Sequence, residues 1–174
     1  TIGRAFPDST KYRRPDDRHN MAGYFNCARD LIAVANYTAR SAWIPCGTTA
    51  DQSLSQIAGS ISFNSSNGPN IDGFQKPDIG GAGDNTMGAR SSNVPSPDSR
   101  ATLGCFHRRA RGTSNAAAVI TGALCLYFQA NPTAGWATIK QDLIQTALRD
   151  GFTGSTPNSL WGYGKLNAMA FVEA

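Results

Sequence analysis

Gly112-Thr113-Ser114-Asn115-Ala116-Ala117-Ala118-Val119-Ile120-Thr121-Gly122 is the stretch whose reading decides the fold. It opens a run over residues 114–130 that is nearly all apolar, without a polar stripe. Such a run reads as a helix buried all round, ended by Asn131-Pro132. Gly112 permits unusual dihedrals and close backbone approach, and the small residues at 116–118 let the helix sit deep in the fold. Ser114 then has two readings. As an N-cap, it or Thr113 satisfies a backbone N–H that the helix leaves free. As a nucleophile, it uses the free N–H groups and the positive dipole end of the same helix. A base takes its proton, fixed donors stabilise the oxyanion, and its own N–H is available as one of those donors. The motif by itself favours the cap.

Working outward, Leu31-Ile32-Ala33-Val34-Ala35 is a short apolar run suited to a strand buried on both faces of a parallel sheet. Ser60-Ile61-Ser62-Phe63 alternates, as a short strand does, and residues 64–73 form a loop rich in Asn, Ser, Gly and Pro. Lys76-Pro77-Asp78-Ile79 reads as a short strand entering a glycine turn at Gly80-Gly81-Ala82-Gly83. Residues 84–100 read as a long surface loop or hairpin, and residues 101–106 as the strand that delivers the chain to Gly112. Beyond the apolar helix, Thr133 reads as the N-cap of an amphipathic helix carrying Ile139, Leu143, Ile144, Ala147 and Leu148, closed by Gly151. A Trp161-Gly162-Tyr163-Gly164 turn leads to a last helix over residues 166–172. Residues 1–26 are polar and aperiodic, and no linker or repeat divides residues 1–174.

Composition bounds the class. With 174 residues, 40% hydrophobic and 16% charged, the chain has the make-up of one globular domain and not of a disordered segment. No apolar run reaches the roughly 20 residues a membrane-spanning helix needs. The net charge of +4 includes two basic clusters, Arg13-Arg14 and His107-Arg108-Arg109-Ala110-Arg111. No nucleic-acid motif accompanies the arginines, so a solvated basic surface is favoured over nucleic-acid binding. If the second cluster lines a cleft, acidic substrate side chains are favoured there. Cys27, Cys46, Cys105 and Cys125 lack C-x-x-C spacing, which argues against zinc. They allow up to two disulfides, although Cys125, in its apolar run, reads as a buried thiol. Asn36-Tyr37-Thr38 and Asn64-Ser65-Ser66 match the glycosylation sequon, a weak signal. The start at Thr1 reads as a processed product or a fragment.

In four places, in the right order, the sequence resembles the subtilisin-like serine protease family. Residues 112–122 resemble its nucleophile motif G-T-S-M-A-A-P-H-V-A-G. Ser62-Phe63, Asn67-Gly68-Pro69, Asp72-Gly73 and Lys76-Pro77-Asp78-Ile79 resemble its S-F-S-x-x-G-P-x-x-D-G-x-x-K-P-D-I segment. Leu31-Ile32-Ala33-Val34 resembles the strand V-I-A-V-G-A, and Gly162-Tyr163-Gly164-Lys165-Leu166-Asn167-Ala168 the closing G-Y-G-x-V-N-A. The resemblance implies an α/β, three-layer fold with a mostly parallel sheet, present here only as its carboxy-terminal part, so that residues 1–174 are one incomplete domain. It implies a serine endopeptidase working through an acyl-enzyme on polypeptide substrates, secreted or otherwise outside the cytoplasm. Ser114 becomes the nucleophile and its N–H an oxyanion donor, with Gly112, Thr113 and Asn115 as motif neighbours. Asn115 stands for the family's Met, Ala118-Val119 for its Pro-His, and Gly80-Gly81-Ala82-Gly83 for V-A-P-G. The span from Lys76 to Gly112 is longer than usual, which implies an insertion near the active site.

Other parts of the family's machinery have no match. The chain has two histidines, His19 and His107, and neither lies in an H-G-T-H-V-A-G context. No D-T-G, D-S-G or A-G-N is present, and Asn20 is a poor substitute for the oxyanion Asn. The triad Asp and His are therefore expected upstream, outside this chain, and its amino-terminal half is the expected partner. No cofactor is required and no metal ligand set is found; the family often binds structural calcium, but no dense carboxylate loop supports it here. The rival reading is a catalytically inactive structural or interaction module, which the departures at Asn115, Ala118 and Val119 fit.

Overall fold

A computed structural model describes residues 28–70, 72–94, 98–102 and 104–174. His19, Asn20, Cys27 and the Arg13-Arg14 cluster lie outside the described residues.

The apolar run at 31–35 does enter a strand, β1 (Val34–Thr38). A short antiparallel pair follows, β2 (Ala42–Trp43) and β3 (Gln52–Ser53). Ser60 to Phe63 adds only a bridge between Ile61 and Tyr37. The long strand β4 (Ile79–Ala89) pairs in parallel with β1, Val34 opposite Ile79, and antiparallel with β5 (His107–Arg111). The sheet order is β1-β4-β5. Among the described residues three helices follow: α1 (Thr113–Ala130), α2 (Trp136–Gln145) and α3 (Ala168–Val172).

Several expectations are corrected. The glycines at 80–83 are the interior of β4 rather than a turn, and the strand continues through Asp84 and Asn85, so that of the two readings of residues 84–100 it is the hairpin, between β4 and β5, that holds. The strand that delivers the chain to Gly112 is residues 107–111, not 101–106. Helix α2 starts at Trp136 behind Gly135, so Thr133 does not cap it, and it ends at Gln145, well before Gly151. Helix α3 starts at Ala168, where the Asn167 side chain accepts from the Ala170 N–H.

The largest correction concerns α1. Its buried positions are Ala116, Ile120, Ala123 and Tyr127, a single stripe at helical spacing. Val119, Leu126 and Phe128 stay 41%, 54% and 44% exposed, and Cys125 is an exposed free thiol. The buried stripe meets Ile79, Ile139, Leu143, Ala147 and Phe171 in the core, where the Tyr127 and Phe171 rings stack at 4.5 Å.

Two polar anchors set the sheet. Lys76 and Asp78, each with 2% of its side chain exposed, pair at 2.9 Å. The Lys76 ammonium also donates to the Leu31 carbonyl at 2.7 Å, and Asp78 accepts from the Ala33 N–H at 2.8 Å. Lys140 of α2 reaches the other carboxylate oxygen at 3.0 Å. The residues just before β1 and β4 are thus locked together, which sets their parallel register. The second anchor is Lys165. Its ammonium lies 5.0 to 5.1 Å from the ring centres of Tyr37, Phe152 and Trp161 and 2.6 Å from Asp150. That contact, with the backbone N–H groups of Thr153 and Phe152, holds the Asp150 carboxyl below its ordinary value, although burial works the other way. A depressed carboxyl stabilises the fold above its unfolded value and ceases to do so as pH falls through the folded one. Melting temperature should therefore drop on acidification below about pH 4, and Asp150→Asn should flatten that limb while lowering the melting temperature at neutral pH.

A Cys46–Cys105 disulfide, Cα atoms 5.0 Å apart, ties the β2 region to the loop before β5. Among the described residues no helix is long and apolar enough to cross a membrane.

Candidate active site

Ser114 is the second residue of α1, and its N–H precedes the intrahelical ladder, which leaves the first N–H groups free. The N-cap position is Gly112, with φ 129 and ψ 163, and no side chain caps the helix. The cap reading of Ser114 and Thr113 therefore does not hold. Gly112 occupies a conformation that side chains rarely adopt, and this lets the chain turn sharply from β5 into the helix. Ser114 is exposed. It lines a cavity of about 240 Å3 with Ile32, Val34, Thr113 and Ala117. No acidic residue sits in the first turn of α1, so the positive end of the helix is not offset locally.

The glycines of β4 make this placement possible. A Cβ on Gly83 would collide with the Ala116 backbone nitrogen, and one on Gly81 would lie 2.7 Å from the Ala116 oxygen. The helix start rests directly on the strand. The Gly83 carbonyl accepts from the Gly112 N–H at 3.0 Å and from the Asn115 side-chain amide at 3.4 Å. Asn115 thus anchors the Ser114 turn to β4 through a polar contact. We expect Gly83→Val to push the first turn of α1 off the sheet, lowering the melting temperature by several degrees and abolishing any reaction at Ser114. A melting temperature within a degree of the parent would contradict the close packing.

Beneath the turn lies a polar layer that sequence reading missed. Asn36, Thr38, Asp84 and Asn85 are fully buried. Asp84 accepts from the Ser62 hydroxyl and from Arg111, at 3.0 and 3.4 Å for the latter. The Arg111 guanidinium also lies 4.9 Å from the ring centre of Phe63, which is 76% exposed. The one available signal was the pairing of Asp84 with a basic residue at the end of the next strand, visible only once the two strands are known to pair. Asn36, the first sequon asparagine, is buried and donates to the Asn64 side chain at 2.8 Å, whereas Asn64 is at the surface.

The histidine in view is not brought to Ser114. His107 is exposed and begins β5, opposite Ala89. At about 3.3 Å per strand residue it lies roughly 13 Å from Arg111, where the strand turns towards Ser114. Among the described residues no cluster of metal-binding side chains occurs.

Comparison with solved structures places this arrangement. The CspB protease of Clostridium perfringens superposes with a TM-score of 0.63 at 22% identity, over 89% of this chain and 29% of that one. Fervidolysin from Fervidobacterium pennivorans, a keratinolytic enzyme related to subtilisin, gives a TM-score of 0.53 at 22% identity, over 83% of this chain and 19% of that one. At such identity the likeness shows the fold, and the chain spans less than a third of either protein. No curated protein sequence matches the chain. The model of the subtilase family, a family of serine proteases that act on polypeptides and are commonly extracellular, matches residues 8–164. With the fold, the glycine-led serine turn and a match over most of its length in agreement, the chain belongs to the subtilase family.

Proposed function

We propose that residues 1–174 are the carboxy-terminal portion of one subtilase catalytic domain and carry its nucleophile, in a secreted serine endopeptidase. The observation that supports this most is that Ser114 is exposed on a cavity at a helix N-terminus without serving as the helix cap. The Ser114 hydroxyl attacks the scissile carbonyl, and a histidine from an upstream segment takes its proton, oriented by an upstream aspartate. The Ser114 N–H receives the developing oxyanion. The histidine returns the proton to the leaving amine, and water then releases the acyl group. The chemistry requires no cofactor. The amino-terminal half of the same domain is the partner that covers Val119, Leu126 and Phe128 on α1, since an apolar helix face of this kind is stabilised by burial.

The rival reading, an inactive subtilase-derived module, draws on Asn115, whose amide is committed to the Gly83 carbonyl, and on the distance of His107 from the turn. A fluorophosphonate probe applied to the intact protein separates the two. Labelling of Ser114, with none in Ser114→Ala, is expected; absence of labelling in the folded parent favours the inactive module.

A further inference from the structure

Strand β5 carries a second, unassigned feature. Arg109 and Arg111, two residues apart on a strand, point to the same face. The Arg109 N–H donates to the Arg100 carbonyl at 2.8 Å, which brings a third arginine alongside. Arg100, Arg109, Ala110 and Arg111 line a cavity of about 290 Å3.

The carboxylates nearby are already committed. Asp84 is held by Arg111, and Asp98 by Arg90 and Arg108, each at 3.1 Å. Among the described residues no carboxylate pairs with Arg100 or Arg109. Arg109 gives one N–H to the Asn85 side chain at 2.8 Å and lies over Trp43 at 4.9 Å, but its Nε is buried with no hydrogen-bond partner. Burial, and then the charge of Arg111, weaken its hold on its proton, with Asp84 opposing and Arg100 adding to the effect. A partly desolvated guanidinium with no ion-paired carboxylate among the described residues, set beside Arg100 and Arg111 on one cavity, is matched by a carboxylate.

The cavity's position suggests its occupant. Arg111 and Ser114 are three residues apart, so their Cα atoms lie within about 11 Å, roughly three residues of extended peptide. The cavity is large enough to take a carboxylate side chain, and its three arginines supply fewer cations than the open track that a nucleic-acid backbone follows. We propose that Arg100, Arg109 and Arg111 form a carboxylate subsite that takes an Asp or Glu side chain of a polypeptide engaged at Ser114; this rests on the proteolytic reading above.

The test uses the intact protein. Paired peptides differing only by Glu or Gln at each position near the cleavage point are expected to show, at one position, a kcat/KM preference for Glu of about tenfold or more. That preference should fall to about twofold in Arg109→Gln and lie between in Arg109→Lys, which keeps the charge but not the fork. Equal cleavage of every pair, or a preference that survives Arg109→Gln, overturns the proposal. Should Arg109→Gln not fold, Arg100→Gln, at an exposed position, is read the same way. A binding arm is independent of catalysis: anisotropy of a labelled Glu peptide on Ser114→Ala, with Gln peptide, glutarate, inorganic phosphate and single-stranded DNA as competitors. Glu-dependent binding without turnover by the parent sustains the subsite and removes the protease reading; turnover without Glu dependence does the reverse. Displacement by phosphate at lower concentration than by glutarate, or tight DNA binding with a steep salt slope, overturns the peptide occupant.

Discussion

Ser114→Ala in the intact protein is expected to lower kcat on peptide substrates by on the order of 10^6-fold, the loss that follows removal of a triad member in a serine protease. Peptide binding should change little, because the substitution deletes one hydroxyl at an exposed position and leaves the Gly112 turn and the α1 N–H groups in place. The residual rate reports what the oxyanion site and binding do alone. The size of the drop is what discriminates between readings. A structural serine, exposed and without a cap bond, would cost less than a unit of stability in kcal/mol and leave turnover nearly intact. Single-turnover kinetics on purified parent and variant measure it, and a loss below tenfold would remove Ser114 from the mechanism.

Lys76→Met should be the most damaging single change to stability, by about 3–5 kcal/mol. Lys76 and Asp78 are each nearly inaccessible and are bonded to one another, and Lys76 also bonds the Leu31 carbonyl. Removing the ammonium leaves the Asp78 carboxylate buried with only Lys140, a quarter exposed, as a counter-charge. It also leaves the Leu31 carbonyl without its donor. Against a whole-domain stability of about 5–15 kcal/mol, that is enough to unfold a marginal protein. Urea denaturation of the intact protein gives the value. The paired change Lys76→Met with Asp78→Leu should recover part of the loss, since replacing both members of a buried pair avoids the stranded charge. A Lys76→Met variant with an unchanged midpoint would show that the pair does not hold the β1–β4 register.

The parts of this architecture that could be read from the chain were those with strong local signatures. The apolar run at 31–35, the Lys76-Pro77-Asp78-Ile79 lead into β4, the glycine-led Ser114 turn and the Gly162 to Gly164 turn all lie where the motifs put them. The interior of β4 was misread because Gly80, Gly81 and Gly83 have no side chains, so no alternation marks them as strand. The lack of a Cβ at Gly81 and Gly83 is required by Ala116, a residue more than 30 positions away, and Gly80 lies against Trp161. Cys125 and the outer face of α1 were misread because apolar character shows only that burial is favourable, not which surface provides it. Asp84 was placed in a loop because its partners, Ser62 and Arg111, are 22 and 27 residues distant.

From sequence alone came the subtilase family, the strand at 31–35 and Ser114 as the candidate nucleophile, because these rest on contiguous residues whose backbone needs are local. Only the tertiary structure decided that Ser114 does not cap its helix, that Asn115 anchors the turn through Gly83, that α1 buries one stripe, and that Arg100 joins Arg109 and Arg111 around one cavity. Each of those depends on which distant groups come within hydrogen-bonding or van der Waals reach, and such proximity is a property of the folded chain.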